Sequence, residues 1–353
     1  MEKVRALVLL SGGLDSMLAA RTLINEGVEV TGITFISNFF GATRGLEAAK
    51  QLGVPLIAFN IADQHLEMTK NPRYGYGKNM NPCIDCHGMM LAKAKSIMDG
   101  EEVVLVYPDG SIKAISQRYD FVATGEVLGQ RPMSQTAIAL TMVEKLSGLD
   151  GMLVRPLSAK LLPLTKPALE GKIKNDNLLN FSGRGRSRQV ELAAIYGIKD
   201  YPSPAGGCLL TDKVFGEKLK KLFEVWPNCN SNDVKVVKTG RNIWLNVANK
   251  KYLLEIGRND EENNLLSKLV MKGDVIINVE DILGPTALLR SKGETSDLVS
   301  ATVDVHVPRE LKLDKIKTDL ENVHDLYDVV ALLVAYYANR ARGRVVKVKF
   351  VVK

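Results

Sequence analysis

Val4-Arg5-Ala6-Leu7-Val8-Leu9-Leu10-Ser11-Gly12-Gly13-Leu14-Asp15-Ser16-Met17 decides the fold. Its first half, Val4–Leu10, is an apolar run of the kind that forms a strand buried on both faces of a parallel sheet. Its second half is a glycine turn that opens into Asp15–Glu26, where Met17, Leu18, Leu23 and Ile24 recur at helical spacing. Working outward, Val28–Phe35 is β-branched and predicts a second strand. Ala42–Leu52 predicts a helix and Pro55–Asn60 a third strand. Strand, helix, strand, helix, strand implies right-handed crossovers and an α/β doubly wound parallel sheet. Ligands of such sheets sit at the carboxyl ends of the strands, which is where Ser11 begins.

Further on, the Gly/Asn/Pro-rich stretch Asn71–Pro82 predicts a loop, followed by a helix from about His87 to Met98. Val103–Tyr107 and Ser111–Ile115 flank Pro108-Asp109-Gly110, a hairpin signal. Tyr119–Thr124 predicts a buried strand, Thr136–Leu146 a helix, and a short strand ends at Val154. The pattern then changes around Thr211–Asn232. We therefore expect a first domain over 1–212, a linker over 213–232 and a smaller α+β domain over 233–353. In that second part Val234–Val237, Ile243–Val247 and Tyr252–Ile256 are expected as short strands. Asp260–Leu269 is expected as a helix capped by Asn259, with Glu262 three residues on. Leu326, Val329, Val330, Leu333 and Tyr337 line one helical face, and Val345–Val352 predicts a last strand.

Composition fits that picture. The chain has 353 residues, 46% hydrophobic and 25% charged, which excludes disorder as its main state. The longest apolar run, Val329–Ala338, is ten residues, against roughly 20 for a membrane span. No membrane association is expected. The start, Met1-Glu2-Lys3-Val4-Arg5, lacks the features of a signal peptide, so a cytoplasmic location is expected. The net charge of +7 is spread evenly: residues 211–353 carry 24 basic and 20 acidic side chains. Local basic stretches remain, Arg184, Arg186 and Arg188 in one and Arg340–Lys353 in another. Each is either a solvated surface or a face for phosphates.

Ser11-Gly12-Gly13-Leu14-Asp15-Ser16 carries the chemistry. The glycines let the backbone turn sharply and approach a ligand. Amides at the helix start, with the Ser11 and Ser16 hydroxyls, form an anion cradle. Asp15 in an anion site makes sense if Mg²⁺ arrives with the anion. The loop is neither a Walker motif nor a dinucleotide fingerprint. S-G-G-x-D-S after a strand resembles the PP-loop of the ATP pyrophosphatases, which share the adenine nucleotide alpha hydrolase-like fold and adenylate their substrates. That resemblance implies ATP and Mg²⁺. It places the adenine by Thr34 and Phe35, with core packing an equal alternative for Phe35.

Thr124-Gly125-Glu126-Val127-Leu128-Gly129-Gln130, then Ser134-Gln135-Thr136, then Arg155-Pro156-Leu157, adds a more selective series. Together these motifs are similar to the catalytic domain of the tRNA 4-thiouridine synthetase (ThiI-type) family over residues 1 to about 210. The resemblance implies nucleotide contacts from Thr124, Gly125, Gln130 and Arg155, though a surface salt bridge is the other reading of Arg155. Ser158-Ala159-Lys160 departs from the family's usual acidic residue and lysine. Neither a THUMP-type tRNA-binding module nor a rhodanese domain is expected.

Four cysteines are present, Cys83, Cys86, Cys208 and Cys229. Cys83-Ile84-Asp85-Cys86, with Cys208 after Gly206-Gly207, is similar to the cluster-binding branch of tRNA thiolases. That resemblance implies a 4Fe-4S cluster held by Cys83, Cys86 and Cys208, with sulfide or a persulfide donor as the sulfur source. Zinc with His87 as fourth ligand, a persulfide relay on Cys208, and plain buried thiols stay open. Cys229, His65, His306 and His324 are expected to be structural. Tyr74 and Tyr76 are candidates to stack on a flipped uridine or to pack the loop.

The C-terminal stretches Thr239–Trp244, Gly257–Asn263 and Gly284-Pro285-Thr286 resemble the NFACT-R type of domain, associated with tRNA and ribosome-bound proteins. With the basic positions, this implies tRNA contacts from Arg184, Arg186, Arg241, Arg258, Lys347 and Lys349. The expected function is ATP-dependent thiolation of a tRNA uridine, with 4-thiouridine favoured and 2-thiouridine the alternative. Asp15, Cys83, Cys86 and Cys208 would be catalytic. A ligase with a nitrogen nucleophile and a non-catalytic tRNA- or ribosome-binding ATP switch are the other readings. Thiolases of this class are often dimers, so a homodimer is a further expectation.

Overall fold

The structure is a computed structural model that describes residues 3–203, 208–247, 249–292 and 298–353. Gly206 and Gly207 lie outside the described residues. The chain divides into two compact units, Met1–Gly216 and Glu217–Lys353.

The first unit is an α/β layer structure. Its elements are β1 (Arg5–Leu9), α1 (Leu14–Asn25), β2 (Glu29–Ile36), α2 (Thr43–Leu52), β3 (Leu56–Asn60), α3 (Ala62–Lys70) and α4 (Cys83–Met98). Then come β4 (Val103–Val106), β5 (Ile112–Ile115), β6 (Phe121–Ala123), α5 (Ala137–Ser147), β7 (Leu153–Val154), α6 (Lys166–Leu169) and α7 (Ser187–Ile195). The sheet order is β5-β4-β3-β2-β1-β6-β7. β3, β2, β1, β6 and β7 pair in parallel, and β4 and β5 add an antiparallel hairpin at the edge.

Chain progression runs from β1 to β2 and β3 on one side and resumes with β6 and β7 on the other. The order therefore reverses beside β1, and the crevice outside the carboxyl ends of β1 and β6 is the switch point where such sheets bind ligands. Alternate residues of β1 face opposite layers. Ala6 and Val8 pack with Leu14, Met17 and Leu18 of α1, while Leu7 packs with Leu91 and Ile97 of α4 and Val143 of α5. Each fully buried Leu or Met contributes about 1.5–3 kcal/mol at most, so both faces of β1 are strongly specified.

Two local expectations are corrected. The C-x-x-C does not precede a helix; α4 starts at Cys83, so both cysteines sit in its first turn. Pro82 at the entry cannot continue a helix backward and fixes where it starts. Val234–Val237 is not a strand but part of α9 (Ser231–Lys238). There Asn230 accepts from the amides of Asn232 and Asp233, and the Asp233 carboxylate accepts from the Asn230 amide at 2.9 Å. That reciprocal cap outweighs the β propensity of three valines.

The stretch 213–232, expected as a linker, is largely helical. It holds α8 (Lys213–Val225), whose Leu219 and Leu222 are fully buried. The second unit continues with β8 (Arg241–Val247), β9 (Lys250–Ile256), α10 (Asp260–Lys268), β10 (Val275–Val279), β11 (Ala287–Ser291), β12 (Ala301–His306), β13 (Asp319–Leu320), α11 (Val323–Tyr336) and β14 (Val345–Val352). Its sheet order is β12-β14-β10-β11-β9-β8-β13, antiparallel except for β13 against β8. The apolar face of α11 packs on Leu254, Ile277, Val346 and Val348. Among the described residues no helix is long and apolar enough to cross a membrane.

Arg290 ties this unit together from inside. Its Nε and Nη2 bond Asp274, its Nη1 bonds Asp233 at 3.0 Å, and it is 3% exposed. Arg290→Leu strips buried Asp274 of its counter-charge and leaves Asp233 with Lys292 alone, and is expected to cost about 3–5 kcal/mol. Both tryptophans, Trp226 and Trp244, stack edge-to-face in this unit, so their fluorescence reports its unfolding. An unchanged denaturant midpoint in the variant would refute this role.

Candidate nucleotide and sulfur site

The PP-loop folds as its glycines require. Gly12 has φ +77°, and a Cβ there would stand 2.3 Å from the Arg44 carbonyl oxygen. No other residue fits such a close approach in that conformation. The Ser16 hydroxyl donates to the Gly13 carbonyl at 2.8 Å, and the Ser11 and Ser16 hydroxyls lie 3.3 Å apart. Gly13 caps α1 with extended backbone and no side-chain bond, which leaves the first-turn amides for a ligand. A cavity of about 710 Å³ opens beside Gly12, walled by Arg44, Lys50, Lys199 and Tyr201.

The loop after β6 clamps this turn. A Cβ on Gly125 would lie 2.5 Å from the Asp15 carbonyl carbon and the Ser16 nitrogen, so the two loops touch backbone to backbone. From the same loop Gln130 Nε2 donates to Asp15 Oδ2 at 2.7 Å, and Gln189 of α7 donates to Gln130 Oε1 at 3.3 Å. Arg186 Nη2 stands 3.6 Å from Asp15 Oδ2. The other carboxylate oxygen, Oδ1, is buried without a hydrogen-bond partner. Gln189 carries no motif and is invisible in the sequence; only the fold brings it to Gln130.

Arg155 is not on the nucleotide side of this loop. It is 5% exposed. Its Nε donates to Glu126 at 3.0 Å, Nη1 to Glu144 at 3.0 Å and Nη2 to the Leu140 carbonyl at 2.9 Å. Its guanidinium is thus spent on the protein, and neither a phosphate contact nor a surface salt bridge describes it. Glu126 also accepts from Thr124 and meets His87 Nδ1 at 2.9 Å. Burial works against its charge, yet the His87 hydrogen bond and the Arg155 guanidinium outweigh burial and hold the carboxyl at about 2.

Thr34 lies near the carboxyl end of β2, buried beneath Gly45 of α2, where a Cβ would come within 2.6 Å of its hydroxyl. Phe35 points into the core and meets Phe59 edge-to-face at 6.4 Å. Packing, not adenine contact, accounts for the Phe35 ring.

The thiols gather at the same end of the unit. Leu209 N bonds the Phe39 carbonyl, Met80 N the Leu210 carbonyl and Asn79 Nδ2 the Thr211 carbonyl at 2.7 Å. These bonds dock the Cys208 segment on the loop that leads to Cys83. Burial pushes all three thiols up, Cys208 to about 11, and charge on Cys208 or Cys83 would raise Cys86 further. Cys86 Sγ and His65 Nε2 share a hydrogen at 3.1 Å, with the ring of His65 against Phe39 and Phe40. Burial lowers His65 to about 4, so the ring is neutral. Among the described residues no three His, Cys, Asp or Glu side chains are placed to hold a metal ion. His87, a candidate fourth ligand, is bound to Glu126. Tyr76 is tied through its hydroxyl to the Thr69 carbonyl at 2.6 Å, and Tyr74 lies under Arg73.

The basic candidates divide. Arg184, Lys347 and Lys349 are exposed, Lys349 with Glu280 at 3.4 Å. Arg241 stacks on Tyr337 and bonds the Gly257 carbonyl, and Arg258 forks onto Glu262. Arg186 turns toward Asp15 instead of outward.

Gly125→Ala drives a methyl into the PP-loop backbone. It is expected to weaken Mg·ATP binding more than about tenfold, ~1.4 kcal/mol, by calorimetry. Gly41→Ala, with open space around it, serves as the control. Equal affinities for both variants would show that the clamp is dispensable.

Residues 2–160 match the family model described as thiamine biosynthesis protein (ThiI). Among curated proteins, the tRNA-specific 2-thiouridylase MnmA of Acetivibrio thermocellus is 27% identical over 144 residues, 35% of this chain and 36% of that protein. That of Bacillus cytotoxicus is 26% identical over 172 residues, 40% of this chain and 46% of that protein. The chain thus spans less than half the length of these relatives. A solved 4-thiouridine synthetase–RNA complex with bound ATP is 18% identical, with TM-score 0.33, over 64% of this chain and 51% of that one. The predicted subunit of tRNA methyltransferase from Methanocaldococcus jannaschii is 19% identical, with TM-score 0.30, over 48% of this chain and 73% of that one. The segment that carries the glycine cradle and its clamp is thus the part of the chain that is similar to the ThiI family, residues 2–160.

Proposed function

We propose that this chain is an ATP-dependent tRNA uridine sulfurtransferase. The observation that carries the reading is Asp15: a carboxylate inside an anion-binding turn, braced by Gln130 on one oxygen and buried without a partner on the other. That free oxygen fits a Mg²⁺ ligand, and Mg²⁺ bound there would neutralise phosphate charge. The Ser11–Ser16 amides and hydroxyls bind the pyrophosphate portion of ATP. The Thr124 loop packs against the turn backbone to backbone through Gly125.

Chemistry then follows from the groups at hand. A uridine carbonyl oxygen attacks the α-phosphorus. The bond to the β-phosphate oxygen breaks, its electron pair leaves on pyrophosphate, and the ring N3 proton is released. The product is an O-adenylated base, whose oxygen now departs as AMP. Hydrosulfide adds to that ring carbon, the carbon–oxygen bond breaks toward AMP, and the sulfur's proton returns to N3. One thiocarbonyl forms, with AMP and pyrophosphate as products.

Cys83, Cys86 and Cys208 are assigned to sulfur. Three soft thiols suit iron chemistry by donor type. Their placement as described does not gather them round a metal ion, so no step is routed through a cluster. A persulfide on Cys208 would deliver its outer sulfur to the same carbon, with a second thiol cleaving the S–S bond and ending in a disulfide with Cys208. The ThiI-type match supports 4-thiouridine as product. The second reading is 2-thiouridine, favoured by the curated 2-thiouridylase relatives.

The test is an anaerobic reaction of reconstituted protein with unmodified tRNA, Mg·ATP and sulfide, followed by nucleoside mass spectrometry. We expect 4-thiouridine, lost in Cys208→Ala. A 2-thiouridine peak moves the target and keeps the mechanism. AMP formation with no thionucleoside from either sulfide or persulfide donors overturns thiolation and favours a ligase. ATP binding without AMP favours the tRNA- or ribosome-binding switch.

Exposed Lys347 and Lys349 on β14, with Arg184, are the proposed tRNA contacts. Lys347→Gln/Lys349→Gln is expected to weaken tRNA binding and to lower the slope of log K against log salt by about one to two. An unchanged slope would remove β14 from the interface.

A further inference from the structure

We infer that Arg186 is the residue that binds the β- and γ-phosphates of ATP at the PP-loop and stabilises the departing pyrophosphate. This rests on the reading of the Ser11–Ser16 turn as an ATP site and assigns the cation beside Asp15, a role that Arg155, spent elsewhere, does not fill.

Geometry separates the two arginines. Arg155 makes three hydrogen bonds of 2.9–3.0 Å and has only structural partners. Arg186 approaches Asp15 at 3.6 Å, an ion pair too long for a hydrogen bond. A committed arginine–carboxylate pair closes to about 2.7–2.9 Å and forks. Here Asp15 already accepts Gln130 at that oxygen, and the Arg186 Nε is buried with no partner. A partly buried guanidinium with an unused, buried Nε–H, beside a carboxylate with an unused oxygen, is a half-filled site. An anion paired with a divalent cation completes both: the cation takes Asp15 Oδ1 and the phosphates take the guanidinium.

The position of Arg186 is fixed by the nucleotide loop itself. Gly183 N bonds the Leu128 carbonyl at 2.8 Å, and Phe181 N bonds the Leu157 carbonyl at 2.7 Å. One turn past Arg186, buried Gln189 braces Gln130. The neighbouring arginines are disposed differently. Arg184 is exposed, and Arg188 lies over the Phe181 ring at 4.4 Å and bonds Asn180. Of the basic segment 184–188, only the middle arginine addresses the PP-loop. Arg131, the other cation of this loop, lies within electrostatic reach of Cys83 and Cys208.

Charge develops on the pyrophosphate oxygens as the bond from the α-phosphorus breaks. A guanidinium already partly buried beside the PP-loop stabilises that charge with less reorganisation than one in open water.

Full-length Arg186→Gln, Arg186→Lys and Arg184→Gln are compared with wild type in binding of Mg·ATP, AMP and tRNA, and in AMP formation with tRNA. Thermal melts establish that each is folded. Arg186→Gln is expected to bind Mg·ATP at least tenfold more weakly and AMP within about twofold. Its AMP formation is expected to fall about 100-fold or more, with partial recovery in Arg186→Lys. Arg184→Gln should show the reverse pattern, with ATP unaffected and tRNA weakened. Arg186→Gln that binds Mg·ATP like wild type but loses tRNA affinity makes Arg186 an RNA contact and overturns the inference. An equal loss for ATP and AMP also overturns it, because the phosphate chain then plays no part. Wild type that fails to bind Mg·ATP overturns the ATP reading itself, and the inference with it.

Discussion

The buried contact between Arg155 and Glu126 is the constraint on which the rest of the site depends. Glu126 sits in the loop that clamps the PP-loop, and it accepts from Thr124, from Arg155 and from His87. Arg155 in turn holds Glu144 and the Leu140 carbonyl of α5. His87 is the residue after Cys86 on α4. One carboxylate therefore joins the nucleotide loop, the helix that carries two cysteines and the helix packed beside it. Losing one member of such a pair exposes the other to an uncompensated burial cost of about 3–5 kcal/mol. Its value to the molecule is registration: the adenylating loop and the thiol helix keep one spacing because a charge would be stranded if they parted.

Glycine supplies the complementary constraint, closeness instead of charge. At Gly12 and Gly125 a single methyl would overlap backbone atoms at 2.3 and 2.5 Å. Backbone meets backbone there, so the amides of the turn converge with no side chain between them. A charged substrate can then be surrounded by dipoles that are fixed before it arrives.

Much of this was legible in the residues. The apolar run before Ser11 and the alternation that follows fix a parallel sheet, because only buried strands and crossover helices satisfy that pattern. The placement of Gln130 near the PP-loop followed from its position after a strand at the same sheet edge. The fate of Arg155 did not follow, since the sequence offers no sign that Glu126 and Glu144 would both reach it. Arg186 and Gln189 were hidden for the same reason: Asp15 and Gln130, their partners, lie far away in the sequence and are joined to them only by the fold, and no local pattern marks them. Val234–Val237 misled because its valines favour a strand, whereas the polar cap at Asn230 settles the backbone before their preference counts. The exposed or committed state of each basic side chain depends on neighbours such as Tyr337 and Glu262, which composition does not reveal.

Asp85, between the two cysteines of α4, has a consequence of its own. Its two carboxylate oxygens take the amides of Arg73 at 3.1 Å and Tyr74 at 3.0 Å. The spacer of the C-x-x-C is therefore also a latch on the loop before it. A rotation of the first turn of α4, such as a change in what Cys83 and Cys86 hold would demand, pulls the aromatic loop with it. Thiol state and loop posture are geared together through a single side chain.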